Sequence, residues 1–197
     1  MNLALFDFDG TITTHETFGD FMRFAVTSRR RALGAPLFSP MLAGYKLGMV
    51  SGSSIRAAVV AFGFRGIPAE HVHKAGERFA SECLPGVLRP EAMQRIAWHQ
   101  RQGDRVVLVS GGLDAYLSPW CRQHGLELIC STLETEGNRL TGRFHGAQCV
   151  GEEKACRIRE RHRLDAFAQC YAYGDTHEDE AMLAMAQRKY YRWREIA

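Results

Sequence analysis

Short apolar runs recur along this chain, separated by segments of helical length. This alternation limits the possible folds more than any other feature. Residues 3–8, 105–109 and 126–130 read as buried strands, with residues 171–173 a fourth candidate and 190–193 a fifth. Helices are expected between them, over residues 90–102, 113–124, 152–163 and 178–187. The first opens at Pro90, where a missing N–H costs nothing, and stops at Gly103. The second stops at Gly125, with Pro119 as a kink point, and the third carries acids first and bases last, as the helix dipole favours. Strands alternating with helices build a parallel sheet covered on both faces, so the expectation is a doubly wound, Rossmann-like α/β core. Residues 133–146 interrupt the pattern with a Gly-Asn centre that reads as a hairpin.

Residues 13–84 break the alternation. Phe18, Phe21, Met22 and Ala25 stand at helical spacing. An all-helical insertion after the first strand would overhang the carboxyl ends of the strands, where open α/β sheets bind ligands. With 197 residues, the chain has room for one domain and such an appendage. The expected division is a core of residues 1–12 and 85–197 and a helical cap of residues 13–84. A net charge of +3 is too small to make nucleic acid the default partner. The six cysteines form no Cys-x-x-Cys pair, so neither zinc nor a disulfide framework is expected. Met1 leads directly into an apolar run with no basic segment before it, and no stretch of eighteen residues is uninterruptedly apolar. A cytoplasmic location is the expectation.

Four polar clusters sit where strands end or helices begin. Asp7-Phe8-Asp9-Gly10-Thr11 closes the first strand, and alternation puts Asp7 and Asp9 on one side. Two carboxylates ending an apolar strand are costly unless a cation or a reaction needs them. Ser110-Gly111-Gly112 follows the second strand, and a hydroxyl with two glycine amides ahead of a helix can cradle an anion. Lys154 lies near a helix start, and Gly174-Asp175-Thr176-His177-Glu178-Asp179 follows a further strand. Such a set suits phosphoryl transfer through an aspartyl-phosphate. One carboxylate attacks phosphorus while the other protonates the leaving oxygen. Mg²⁺ between carboxylates and phosphate screens their repulsion, and the lysine and amides hold the equatorial oxygens.

In order and spacing these clusters resemble the motifs of the haloacid dehalogenase-like (HAD) hydrolase superfamily, most closely its phosphoserine phosphatase-like branch. The resemblance covers residues 1–12 and about 85–197. It implies an HAD core with a helical cap inserted after the first strand. It also implies Asp7 as nucleophile and Mg²⁺ ligand, and Asp9 as general acid/base with its carbonyl on the metal. Ser110, with the amides of Gly111 and Gly112, would bind phosphate, and Lys154 would neutralise Asp7 and the phosphate. Asp175 would ligate Mg²⁺ with Asp179 beside it. Where phosphoserine phosphatases usually carry Asn-Asp in the fourth motif, this chain has Glu178-Asp179. Glu178 reads either as an exposed first-turn acid or as a change to the metal shell.

The implied partner is a small phosphorylated metabolite. Glu16, nine residues after Asp7, resembles the acid that contacts the ammonium of phosphoserine, and Arg56 is the candidate for its carboxylate. A solvated or capping acid and an exposed helix charge are the alternative readings. Arg29, Arg30 and Arg31 precede an apolar stretch, residues 32–45, that could rest on an anionic membrane surface or pack within the cap with Pro36 and Pro40 at turns. A looser resemblance to bacterial phosphatidylglycerophosphatases points to a lipid phosphate, and a non-catalytic phospho-ligand-binding module on the same fold is a further alternative. Trp98, Trp120 and Trp193 read as core or surface anchors. Arg157, Arg159, Arg161 and Arg163 read as a solvated basic face.

Overall fold

The computed structural model describes the backbone of all 197 residues and the side chains of all except Ala35 and Lys46. A six-stranded sheet is organised around β1 (Leu3–Phe6), which is completely buried. On one side β1 pairs in parallel with β2 (Arg105–Leu113), followed by β3 (Glu127–Ser131). On the other it pairs in parallel with β6 (Cys170–Gly174), then β7 (Arg188–Tyr191) and the antiparallel β8 (Arg194–Ile196). The order is β3-β2-β1-β6-β7-β8. The two-residue period of a strand explains why β1 is apolar throughout. Ala4 and Phe6 enter one hydrophobic cluster with Phe21, Phe79 and Trp120; Leu3 and Leu5 enter a second with Ile158 and Met182. Both faces are therefore covered, as expected for a doubly wound core. The crossover changes direction beside β1, which opens a crevice at the carboxyl ends of β1, β2 and β6.

Helices α1 (Phe18–Ala25), α2 (Ser28–Lys46), α3 (Gly52–Phe64) and α4 (Ala69–Glu82) lie between β1 and the rest of the sheet. After a 3-10 turn come α5 (Pro90–Arg101), α6 (Asp114–His124), α7 (Glu152–Arg161) and α8 (Glu180–Ala184). The hairpin β4 (Leu133–Glu136) and β5 (Arg139–Phe144) forms a separate two-stranded sheet. Its β5 edge carries the α3–α4 junction: Gly66 N–H donates to Leu140 O (2.8 Å), and Leu140 N–H donates to Ile67 O (2.9 Å). At α4, a Cβ on Gly76 would come within 1.9 Å of Ala115 O, so only glycine lets α4 approach α6 this closely.

Several elements differ from the sequence expectation. Strand β2 continues through Ser110-Gly111-Gly112 to Leu113, with its register against β3 slipping between Ser110 and Leu113. The glycines carry no side chains to oppose this extended path. Pro36 and Pro40 lie inside α2 and not at turns. That helix is held by packing on α3, where Gly34 sits against Phe62 and the Phe38 and Phe62 rings meet edge-on at 5.5 Å. The expected helix over 178–187 is a 3-10 turn (His177–Asp179) followed by the short α8, because Asp179 folds back onto the Thr176 amide in a capping box. The terminal strand becomes a hairpin whose turn places Arg192 and Trp193 at positive φ, with no glycine or asparagine to announce it. Two of the expected solvated arginines are engaged: Arg157 donates to Cys130 O and Ala147 O (2.7 and 2.6 Å), and Arg161 donates to Leu128 O (2.7 Å). No helix among the described residues is long and apolar enough to cross a membrane.

Candidate active site

The β1, β2 and β6 strand ends and the α7 start bring the four sequence clusters to one place. Lys154, two per cent exposed in the first turn of α7, puts its ammonium between two carboxylates. Its Nζ donates to Asp7 Oδ1 and to Asp179 Oδ1, both at 2.6 Å. Asp179 Oδ2 accepts the backbone N–H groups of Asp175 (3.0 Å) and Thr176 (3.1 Å), so both its oxygens are engaged. Asp175 Oδ1 accepts from the Thr11 hydroxyl at 3.2 Å. Asp7, Asp175 and Asp179 each offer a carboxylate oxygen within 4.8 Å of the others. Gly10 makes this crowding possible: it sits at φ +79°, and a Cβ there would come within 2.3 Å of Asp175 Oδ2.

Three carboxylates against one ammonium leave two uncompensated negative charges. Burial, with Asp179 adding to it, pushes the Asp7 carboxyl well above the usual range against the pull of Lys154. Burial and Asp179 also raise Asp175. Burial works against the Lys154 ammonium, but Asp7 and Asp179 more than offset it and hold the group protonated far above the ordinary lysine value. All-oxygen donors with this charge deficit fit a hard divalent cation such as Mg²⁺. Asp7 and Asp175 have oxygens to give; Asp179 supports the site through Lys154 and the loop amides.

Asp9 is held apart from this group. Its Oδ1 accepts both the N–H (2.7 Å) and the hydroxyl (2.6 Å) of Thr17, the residue before α1. Burial lifts its pKa to about 6 even though these two bonds oppose the shift. Ser110 is buried on β2, and its Oγ accepts the Gly112 N–H at 3.0 Å. The serine hydrogen remains available to an anion, whereas the Gly112 amide is engaged with Ser110.

Above this floor lies a cavity of about 890 Å³ reached by Asp7, Asp9, Ser110, Lys154 and Thr176. Its upper walls come from α1, α2 and α3, with Phe18, Met22, Val59 and Phe62 among the lining side chains. The exposed Glu16 lines it too. Arg56 also lines it, not as an exposed helix charge but paired with Glu178 at 3.0 Å. Glu178 in turn is neither a free surface acid nor a member of the carboxylate cluster.

Sequence reasoning gave no role to Thr11, Thr17 or Arg192, and read Trp193 only as an anchor. The Trp193 indole N–H donates to Thr11 O (3.1 Å) and Arg192 Nε donates to Asp175 O (3.0 Å), so the terminal hairpin braces both acidic loops. Only the hydroxyls flanking the Asp-x-Asp motif carried any signal of this.

The model of the haloacid dehalogenase-like hydrolase family matches residues 4–184, which span every element of this floor. The chain belongs to that hydrolase family. It is 31% identical over 192 residues to protein CicA of Caulobacter vibrioides, covering 96% of this chain and 85% of that protein. Among solved structures, a protein of unknown function from Bordetella pertussis Tohama I superposes with a TM-score of 0.79 at 22% identity, covering 96% of this chain and 89% of that one. A phosphoserine phosphatase bearing a phospho-aspartyl intermediate analogue superposes with a TM-score of 0.68 at 23% identity, covering 96% and 85%. At these identities the structural likeness establishes the HAD α/β fold.

Proposed function

We propose that this hydrolase is a Mg²⁺-dependent phosphatase that cleaves a phosphate monoester through an aspartyl-phosphate on Asp7. Residues 1–12 and 85–197 form its catalytic core and residues 13–84 its cap. The observation that carries this reading is the division of labour on the cavity floor. Asp7 is fixed on Lys154 beside Asp175 and Asp179, while Asp9 stands apart with its pKa lifted to about 6. When bound by Asp7, Asp175 and the Asp9 carbonyl, Mg²⁺ supplies positive charge to the phosphate oxygens. Lys154 and the Ser110 hydroxyl hold further oxygens of the phosphate. A carboxylate oxygen of Asp7 attacks phosphorus, and the bond from phosphorus to the ester oxygen breaks. Thr17 occupies Asp9 Oδ1, so the proton rides on Oδ2 and passes from there to the leaving alcohol. Asp9, now a carboxylate, takes a proton from water as that water attacks phosphorus, which frees Asp7 and releases phosphate.

The purified protein with MgCl₂ should hydrolyse p-nitrophenyl phosphate, and Asp7→Asn should abolish turnover with the fold intact. Full activity in that variant, or activity indifferent to EDTA, refutes the mechanism.

A second reading concerns the substrate. The cavity is large for phosphoserine, and its upper walls are mainly apolar. Leu33, Leu37, Leu42 and Tyr45 are exposed along α2, next to Arg29 and Arg31. This favours a lipid-type phosphate monoester presented at an anionic membrane surface. Turnover of a long-chain phosphate in anionic vesicles, compared with its short-chain analogue in solution, tests this reading. Equal rates reject it.

A further inference from the structure

Arg56 joins the wall of the cavity to its floor. Its Nη2 donates to Glu178 Oε1 at 3.0 Å and to Oε2 at 3.4 Å, and its Nε donates to Gln148 Oε1 at 3.0 Å. Gln148 Nε2 returns a bond to Ser53 O at 2.8 Å, three residues earlier on α3. The Arg56 and Glu178 side chains are 16% and 29% exposed, and both line the cavity that contains Asp7 and Ser110. The other cavity arginines serve elsewhere. Arg23 pairs with Asp20, and Arg31 donates to Arg23 O. Arg30 binds the carbonyls at the far end of α3, roughly 10 Å along the helix from Arg56.

We propose that Glu178 is a specificity-determining residue. It occupies Arg56 as an internal carboxylate and so denies that guanidinium to a carboxylate on the substrate. The inference rests on the phosphatase reading of the site and narrows its substrates to phosphate monoesters whose alcohol part carries no carboxylate. Glu178 takes Nη2 and Gln148 takes Nε, so a substrate carboxylate would either displace Glu178 or meet Nη1 alone with the Glu178 carboxylate already on the same guanidinium. Glu16, which lines the same cavity, adds a further acid. Discrimination of this kind works by leaving the wrong ligand with an unpaired or repelled charge.

Propyl phosphate and 2-carboxyethyl phosphate differ only in the terminal group, methyl against carboxylate. For the wild-type protein with MgCl₂, kcat/KM should favour propyl phosphate at least tenfold. Glu178→Gln should shrink that preference at least tenfold through a lower KM for the carboxylate ester, and adding Arg56→Gln should erase the gain. Equal turnover of the two esters by the wild type overturns the proposal. So does a Glu178→Gln variant that melts normally yet loses both activities in proportion. If Glu178→Gln fails to fold, Glu178→Ser takes its place and is read in the same way. Calorimetric binding of both esters to the Asp7→Asn protein reads the same preference without turnover. An absence of hydrolysis would therefore sink the phosphatase reading, whereas equal binding of the two esters would sink this inference alone.

Discussion

Replacing Lys154 with methionine separates the electrostatic account of the site from its chemistry. Methionine keeps most of the length and volume of the lysine but removes the ammonium held 2.6 Å from both Asp7 and Asp179. Removing one partner from a buried ion pair costs about 3–5 kcal/mol, because the remaining charge is left buried and unpaired. For a chain of this length each kcal/mol is worth about 2–4 °C in Tm, so the drop should fall between roughly 6 and 20 °C. The cost is limited by protonation. Asp7 already lies high through burial, and without Lys154 it must rise further. The folded variant then binds a proton that the unfolded chain, with an ordinary aspartate near 3.9, releases. A folded pKa above the unfolded one means that stability falls as pH rises. The deficit against wild type should therefore be small at pH 5 and largest at pH 8. Thermal melts at pH 5, 6.5 and 8 in EDTA measure it directly. At pH 8, where the carboxyls tend to ionise without the ammonium, excess MgCl₂ should raise the Tm of the variant more than that of wild type. A Tm within 2 °C of wild type at pH 8, or a deficit that grows toward acid, would refute the reasoning.

Two further outcomes follow from single contacts. Gly76→Ala should lower the urea midpoint: helix propensity favours alanine by about 1 kcal/mol, but a Cβ 1.9 Å from Ala115 O forces α4 off α6, and overpacking costs about 1–3 kcal/mol or more; a raised midpoint would show that the helices separate freely. Thr17→Val removes the hydroxyl that holds Asp9 down against burial, so the alkaline limb of kcat/KM for an aryl phosphate should move up by about one pH unit; a limb that stays or moves down would remove Thr17 from control of the proton.

The charged floor was legible in the sequence because its residues stand at the ends of strands. A buried strand announces itself by an apolar run, and acids or glycines that end such a run must lie at the sheet's carboxyl edge. Strand ends alone therefore place Asp7, Asp9, Ser110 and Asp175 together, and Lys154 joins them through the start of its helix. The contacts that tune this floor were not legible. Thr17 reaches Asp9 across the turn that leaves the sheet, Trp193 reaches back 182 residues to Thr11, and Arg56 reaches forward 122 residues to Glu178. Periodicity reports which face of an element is buried, not which distant element covers it. The same limit hid α2, where two prolines argue for breaks and contacts with α3, the Phe38–Phe62 ring pair and the Arg30 bonds to its last carbonyls, hold the helix.

That split between legible floor and illegible wall has a mechanistic meaning. The helical insertion does more than roof the cavity, because it touches the floor at two points with different consequences. At its start, Thr17 occupies one oxygen of Asp9, and on the proposed mechanism this leaves the other oxygen to carry the proton. On α3, Arg56 is tied to Glu178, on the loop that also carries Asp175 and Asp179. A displacement of α3 would pull on that acidic loop, while a displacement of α1 would alter the acid. On the proposed mechanism, proton delivery and substrate choice would be controlled from separate points of one insertion, the turn before α1 and helix α3. Substitutions at Thr17 should change the pH profile and leave the preference between esters alone, and substitutions at Glu178 should do the reverse. Double-mutant additivity between the two sites is the quantity that decides whether the insertion acts as one rigid body or as two independent supports.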